Sequence, residues 1–179
     1  MCCKPGHRAN AARRVMAEDG EVALDTDVNE MLQSWKVPEN AFTAEHPVTL
    51  RGLLSHTAGV TVHGFPGYAP GDPVPTTVQV LNAGPPTNTA AILVDTVPGS
   101  IWRYSGGGYT IAQLLLEDVS GIPYARLLRE RVLEPLGMQQ STSEQPLPQQ
   151  FRDRAATAYR GDGAAVAGRY HTYPEMAGA

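Results

Sequence analysis

Lysine is the scarcest charged residue in this sequence. Of 14 basic residues among 179, only Lys4 and Lys36 are lysines. A reaction that needs a lysine therefore has two candidates at most. The 18 acidic residues bring the formal charge to −4. No run of Lys and Arg is dense enough to bind phosphates, so the sequence predicts no nucleic-acid partner.

Cysteine is nearly absent as well. Cys2 and Cys3 are adjacent, and adjacent cysteines seldom pair because the bridge is strained. The sequence therefore excludes a disulfide scaffold and a cysteine-based zinc site. It contains no run of about 18 apolar residues, so we expect no membrane span. Residues 1–14 lack the apolar stretch of a secretory signal, and the compartment stays undetermined.

The composition is that of a folded chain with long loops. Hydrophobic residues make up 42% of the sequence, and 18 glycines and 15 prolines interrupt them. We expect residues 1–179 to form one domain, because the length leaves little room for a second.

Motifs of several enzyme classes are missing. Gly106, Gly107 and Gly108 lack the lysine of a phosphate-binding loop, and no G-x-S-x-G elbow occurs. No pair of histidines has the i, i+4 spacing of a zinc-binding helix. The sequence thus predicts neither a metal nor a cofactor, and the five histidines are most simply structural or solvated: His7, His46, His56, His63 and His171.

Apolar periodicity, caps and breakers predict a mainly helical chain. Thr49 is the expected N-cap of a short helix that Gly59 stops, and Pro123 is expected to open a helix after Gly121 ends the previous one. The predicted elements are helices within residues 9–18, 28–35, 50–58, 76–83, 109–120 and 124–134, and a small β-hairpin within residues 156–173.

Two stretches contain candidate catalytic residues. Ser55 and His56 are neighbours, but adjacent residues on a helix point about 100° apart, so polar contacts at a helix end are the simpler interpretation. Tyr104 precedes three glycines that lead into the predicted helix of residues 109–120. A phenol loses its proton near pH 10, so it can act as a base only beside positive charge. From the residues alone, packing and catalysis are both open for Tyr104.

Four segments, in order, resemble the β-lactamase-related serine hydrolases, which include class C β-lactamases, penicillin-binding proteins and esterases. The segment LLSHTAG at residues 53–59 resembles the family's LLSHTSG. The other three are GEVALDTDV at residues 20–28, PGSIWRYS at residues 98–105 and VLEPLGM at residues 132–138. The resemblance covers about residues 15–179.

The resemblance implies an α/β fold, of which this segment is the helical lobe, and acyl transfer to a serine from an ester or amide substrate. It makes Tyr104 the catalytic acid/base and assigns Ser105 and Gly106 to substrate binding. The aromatic side chains of Phe65, Tyr68, Trp102 and Tyr109 are open to two interpretations, an apolar acyl pocket or plain core.

Departures from the family pattern concern the nucleophile. Met1 stands three residues before Lys4 and Gln33 three before Lys36, so no S-x-x-K occurs, and no K-T-G or H-x-G follows the tyrosine. We therefore expect a partial domain, truncated at both ends and inactive as an isolated chain. An apolar face left uncovered would favour self-association. The alternatives are a non-catalytic pseudoenzyme, Cys2 or Cys3 as a replacement nucleophile, and a scaffold module of other ancestry.

Overall fold

The structure, a computed structural model, describes residues 16–178 and is mainly helical. Within these residues β-pairing is limited to isolated antiparallel bridges. In the same range, no helix combines the length and the apolar character needed to cross a bilayer. The helices are α1 (Val28–Met31), α2 (Leu50–Ser55), α3 (Thr77–Asn82), α4 (Gly106–Ser120), α5 (Tyr124–Leu128), a π-helical segment (Arg129–Leu133) and α6 (Gln149–Arg152).

The helical lobe expected from the sequence is confirmed, with two qualifications. Of the predicted helix at residues 9–18, only residues 16–18 are described, and these are helical. The hairpin expected within residues 156–173 is reduced to one antiparallel bridge between Tyr159 and Ala165. A second bridge joins Tyr68 to Thr172 and ties the loop of residues 63–68 to the C-terminal segment.

Helix α4 is the centre of the core. Helices α1, α2, α3 and α5 all contact it, and all of its residues from Gly106 to Leu116 are buried. Three of the four apolar side chains that recur at the helical period are buried, Ile111, Leu114 and Leu115, and Val119 is half-buried. Gln113 lies outside this period and is buried as well. The Gln113 amide donates to the Pro174 carbonyl and accepts from the Ala177 N–H, each at 3.0 Å. A buried amide is stable here because both of its polar ends are paired.

Helix α4 begins at Gly106 rather than at Tyr109, so the three glycines form its first turn and are not a turn in front of it. Ser105 is the N-cap, and its hydroxyl accepts from the Gly108 N–H at 2.9 Å. The sequence prediction missed this start because glycine is a poor helix former in isolation. Glycine is required here because neighbouring backbone packs closely against the first turn of the helix.

Helix α2 ends before the predicted stop. Thr49 caps its start as expected, accepting from the Gly52 N–H at 3.0 Å. The last helical residue is Ser55, and His56 adopts the left-handed conformation with φ of 61°. Gly59 therefore does not end the helix. It lies where an added Cβ would be 2.1 Å from the Thr96 carbonyl oxygen, so close approach of two chain segments requires it.

The segment after α4 follows the sequence prediction closely. Gly121 is left-handed with φ of 67° and caps α4, and Pro123 caps α5. The single helix expected within residues 124–134 divides at Arg129, where the hydrogen bonding changes to that of a π-helix. The apolar side chains that recur at the helical period across these two segments are all buried: Tyr124, Leu127, Leu128 and Val132.

Candidate active site

Ser105 fixes the position of the candidate tyrosine at the start of α4. Its side chain is buried, and the hydroxyl donates to the Thr61 carbonyl at 2.6 Å while it accepts from Gly108. Because an N-cap residue is extended, Tyr104 immediately before it stays outside the helix. The Tyr104 side chain is 43% exposed. The phenol is therefore at the surface beside the helix start, not buried among aliphatic side chains.

The first amides of α4 are already occupied by protein. Gly106 N–H donates to the His63 carbonyl and Gly107 N–H to the Val62 carbonyl, each at 3.1 Å. A Cβ on Gly106 would come within 2.6 Å of the Gly178 carbonyl oxygen, and one on Gly107 within 2.7 Å of the Thr61 carbonyl oxygen. The glycines thus serve backbone packing, and this helix start does not present free N–H groups to an anion.

Two histidines contact the Tyr104 ring. The ring centroid of His56 is 4.4 Å from that of Tyr104, and the centroid of His63 is 4.7 Å away. His56 also meets the Trp102 indole edge-on, with centroids 5.9 Å apart. Sequence reasoning missed this cluster, since His56 and His63 were assigned structural or solvated roles. His56 and His63 lie far from Tyr104 in the sequence, so no local sequence pattern reveals these contacts.

His56 joins the end of α2 to the start of α4. Its Nδ1 accepts from the Ser105 N–H at 3.2 Å, and its carbonyl accepts from the Arg103 N–H at 2.9 Å. Burial of the imidazole, and secondarily the charge of His63, lower the pKa of His56. Because Nδ1 accepts this hydrogen bond, the proton of the neutral imidazole lies on Nε2. The adjacent Ser55 hydroxyl donates to the Arg51 carbonyl at 2.8 Å, as expected of a helix end.

Two basic side chains, Arg103 and Lys36, are engaged elsewhere in the structure. Arg103 forms an ion pair with Asp95 and donates to the Gly59 carbonyl at 2.9 Å. The hydrogen bond from Arg103 holds the pKa of Asp95 below its usual range. Lys36 donates to the carbonyls of Asn29 and Leu32. Neither of these two side chains therefore supplies the positive charge that the sequence argument required beside Tyr104.

The structure divides the four aromatic residues proposed for an acyl pocket. Tyr68 and Tyr109 are buried, and Tyr109 donates its hydroxyl proton to the Leu54 carbonyl at 3.1 Å, so both are core residues. Phe65 is half-buried. Trp102 is 68% exposed and stands beside His56, so it alone of the four is an open surface next to Tyr104.

Two surface cavities lie away from Tyr104. One of about 250 Å³ is bounded by Arg129 and Phe151, and one of about 460 Å³ by Pro70 and Tyr170. Among residues 16–178, no three His, Cys, Asp or Glu side chains are grouped as metal ligands would be.

The match to a known protein family covers nearly the whole chain. A family model described as beta-lactamase matches residues 9–179. The chain belongs to the beta-lactamase family. The resemblance inferred from four short segments is confirmed.

Individual relatives of this beta-lactamase family chain are penicillin-binding and carboxypeptidase proteins. It is 28% identical over 148 residues to penicillin-binding protein 4 of Amycolatopsis lactamdurans, covering 82% of this chain and 36% of the relative. It is 35% identical over 118 residues to the D-alanyl-D-alanine-carboxypeptidase/endopeptidase AmpH of Escherichia coli K12, covering 64% of this chain and 29% of the relative. The chain thus spans about a third of the length of these two relatives.

A solved structure supports the same fold. The beta-lactamase/D-alanine carboxypeptidase of Yersinia pestis, crystallised with citrate, superposes with a TM-score of 0.65 at 26% identity, covering 96% of this chain and 49% of that one. The predicted fold family is therefore confirmed. Ser105 and Gly106 are buried in this structure and set the start of α4. Their contact with a substrate, like the acid/base role of Tyr104, stays a prediction.

Proposed function

We propose that this chain supplies the tyrosine acid/base of a serine hydrolase that cleaves an ester or amide through an acyl-enzyme. The supporting observation is the exposed Tyr104 phenol at the start of α4, against two imidazoles, in a member of the beta-lactamase family. The relatives are named for penicillin binding and D-alanine carboxypeptidase activity. Peptides ending in D-alanyl-D-alanine and β-lactams are therefore the first substrates to test.

Within this proposal the described residues handle the proton. Tyr104 takes the proton of the attacking hydroxyl and returns it to the leaving group. Ser105 and Gly106, buried at the start of α4, orient the substrate through the tyrosine that they position. The nucleophile is assigned to no residue, because the 179 residues contain no S-x-x-K. We expect these 179 residues alone to turn over no substrate.

A second candidate function is a non-catalytic binding module with the same ancestry. The observation that favours it is that these 179 residues contain no S-x-x-K, so none of them is assigned as the nucleophile. Such a protein would retain an affinity for acylated D-alanyl groups at Tyr104 without hydrolysing them. The partner in either case is a small molecule, and no cofactor or nucleic acid is proposed.

One set of assays separates these functions. Hydrolysis of nitrocefin, p-nitrophenyl acetate and a D-alanyl-D-alanine peptide is measured for the chain, for Tyr104→Phe and for Tyr159→Phe, a control whose tyrosine is 67% exposed. Turnover lost only in Tyr104→Phe would establish the acid/base role and contradict the expected inactivity.

Binding is measured in parallel by NMR of ¹³Cζ-labelled tyrosine. We expect no turnover but a shift of the Tyr104 signal by benzylpenicillin, with the Tyr159 signal unmoved. That result supports a ligand-binding surface without a nucleophile. Absence of both turnover and shift would contradict both functions, because Tyr104 would then meet no ligand.

A further inference from the structure

The larger of the two surface cavities is a cleft of about 460 Å³ between three stretches of chain. These stretches are residues 69–74, 146–152 and 168–172. Apolar side chains line much of the cleft, among them Pro70, Leu147 and Tyr170. Sites for small molecules typically have volumes of about 300–1,000 Å³ and combine apolar walls with a few polar groups. The cleft therefore has the size and the lining of a small-molecule site.

The walls of this cleft are held together by contacts between distant parts of the chain. Tyr68 and Thr172 exchange two backbone hydrogen bonds of 2.9 Å, which tie the start of the first stretch to the end of the third. Gly168 has a φ of 73°, and a Cβ added there would lie 2.2 Å from Cγ of Pro70. The first and third stretches thus pack directly against each other, and the cleft is formed before any ligand enters it.

Two side chains of opposite charge line the cleft. One carboxylate oxygen of Asp72 accepts the Ala69 N–H at 3.0 Å, which fixes the direction of the side chain. Nε of Arg152 donates to the Leu147 carbonyl at 3.0 Å, and the Arg152 carbonyl accepts from Arg169 at 3.2 Å. Within residues 16–178 no ion pair joins Asp72 to Arg152. The cleft therefore presents a carboxylate and a guanidinium that are both anchored and do not neutralise each other.

This pair of charges matches a small molecule with an ammonium at one end and a carboxylate at the other. A guanidinium binds a carboxylate through paired N–H donors, and a carboxylate accepts hydrogen bonds from an ammonium. The half-buried ring of Tyr170 supplies an aromatic surface against which an apolar side chain can pack. A short peptide with free ends carries all three of these groups.

We propose that the cleft binds a short apolar peptide of about two residues, with its carboxylate at Arg152 and its ammonium at Asp72. The described residues that line the cleft do not include Tyr104, so this site is separate from the candidate active site. Binding there requires no nucleophile and does not rest on the function proposed above. The 179-residue chain is therefore sufficient to test it.

NMR of the chain labelled with ¹³Cζ-tyrosine measures the binding of phenylalanyl-phenylalanine. Loss of one resonance in Tyr170→Phe assigns the Tyr170 signal, and Tyr104→Phe assigns that of Tyr104. We expect the dipeptide to shift the Tyr170 signal saturably, with a Kd on the order of 1 mM, and to leave the Tyr104 signal unmoved. The N-acetyl dipeptide and the dipeptide amide each lack one end charge, and each should bind at least about threefold more weakly.

Two substitutions test which end of the peptide each charge holds. Asp72→Asn keeps an amide oxygen to accept the Ala69 N–H but removes the charge, so it should bind the free and the N-acetyl dipeptide equally. Arg152→Gln should bind the free dipeptide and its amide equally. Both variants should bind the free dipeptide at least about threefold more weakly than the unmodified chain does. Should Arg152→Gln fail to fold, the three peptide forms on the unmodified chain still decide the question.

Asp162→Asn and Arg160→Gln are the matched controls. Asp162 is an exposed aspartate whose carboxylate also holds a turn, since it accepts the Ala164 N–H at 2.9 Å. Arg160 is an exposed arginine outside the cleft. Neither control should change the affinity for any of the three peptide forms. Losses equal to those of Asp72→Asn and Arg152→Gln would show a response to overall charge and would overturn the proposal.

The remaining outcomes separate this proposal from the proposed function. No saturable shift of the Tyr170 signal, or equal affinity of the unmodified chain for the three peptide forms, would overturn the peptide site. A shift of the Tyr104 signal without one at Tyr170 would place the peptide at the candidate active site, which overturns the separate cleft and supports the proposed function. Absence of turnover bears on the function alone, because peptide binding in the cleft involves no reaction.

Discussion

The backbone N–H of Ser105 donates a 3.2 Å hydrogen bond to Nδ1 of His56. This bond joins the left-handed residue that ends α2 to the residue that caps α4. It fixes which imidazole nitrogen carries the proton, and it sets the His56 ring against Tyr104. Local capping geometry and the candidate site are therefore one structural unit. Changes at the cap should affect both stability and the environment of the tyrosine.

The cap predicts a measurable loss of stability in Ser105→Ala. The variant loses the bond from Gly108 N–H and leaves the Thr61 carbonyl without its 2.6 Å donor. We expect the free energy of unfolding to fall by about 2 kcal/mol, as for a buried N-cap with a second hydrogen bond. Urea denaturation measures the change. Ser55→Ala, at an exposed helix end, should change it by less than about 0.5 kcal/mol, and equal losses in both variants would contradict this account.

Alanine substitutions at two adjacent glycines of α4, Gly107 and Gly108, should change the stability of the protein in opposite directions. In Gly107→Ala the added Cβ meets the Thr61 carbonyl oxygen at 2.7 Å and Ile92 at 2.9 Å. Backbone must move, so we expect a loss of about 2 kcal/mol or more. In Gly108→Ala the nearest atoms are at 3.6 Å, and the helical preference of alanine should stabilise by about 0.5 kcal/mol. Thermal unfolding of both variants is the test, and equal shifts would contradict the packing argument.

The sequence predicted the elements whose signals are local. The Thr49 cap, the Gly121 stop and the opening of α5 after Pro123 follow from backbone preferences within a few residues. The start of α4 and the burial of Gln113 do not, because they depend on segments 61–63 and 174–178, which are distant in the chain. The contacts of His56 and His63 with Tyr104 are non-local in the same way. The family motif located Tyr104, but no motif placed the imidazoles beside it.

The exposed aromatic surface near Tyr104 predicts self-association. Trp102 is 68% exposed and Ile101 is 43% exposed, so adjacent apolar side chains face solvent. We expect a dimer or larger species whose dissociation constant rises at least about tenfold in Trp102→Gln, since burial of an indole contributes more than about 1.4 kcal/mol. Sedimentation velocity over a range of concentrations measures it. Tyr159→Gln removes a side chain of similar exposure from the loop of residues 156–173 and should leave the association unchanged; an equal effect of both variants would argue against a surface centred on Trp102.

A buried carboxyl near the C-terminal end predicts a pH-dependent stability. Glu175 is fully buried, and within residues 16–178 neither of its carboxyl oxygens has a hydrogen-bond partner. Burial raises the pKa of Glu175 to about 7. In an unfolded chain a glutamate titrates near pH 4.3. Between these values the folded chain keeps a proton that the unfolded chain has lost, so stability must decrease as the pH rises through this window.

Replacing this carboxyl tests the assignment directly. The unmodified chain should lose up to about 3 kcal/mol of unfolding free energy between pH 4.5 and pH 7, whereas Glu175→Gln should lose much less over the same range. Urea denaturation at pH 5, 6, 7 and 8 supplies the curves. Glu39→Gln, an exposed carboxyl, serves as the control and should retain the original slope. If the slope of Glu175→Gln also matched that of the unmodified chain, another group would have to titrate in this window. A variant more stable than the unmodified chain at pH 8 would show that the charged form of Glu175 opposes the docking of residues 174–178 on α4.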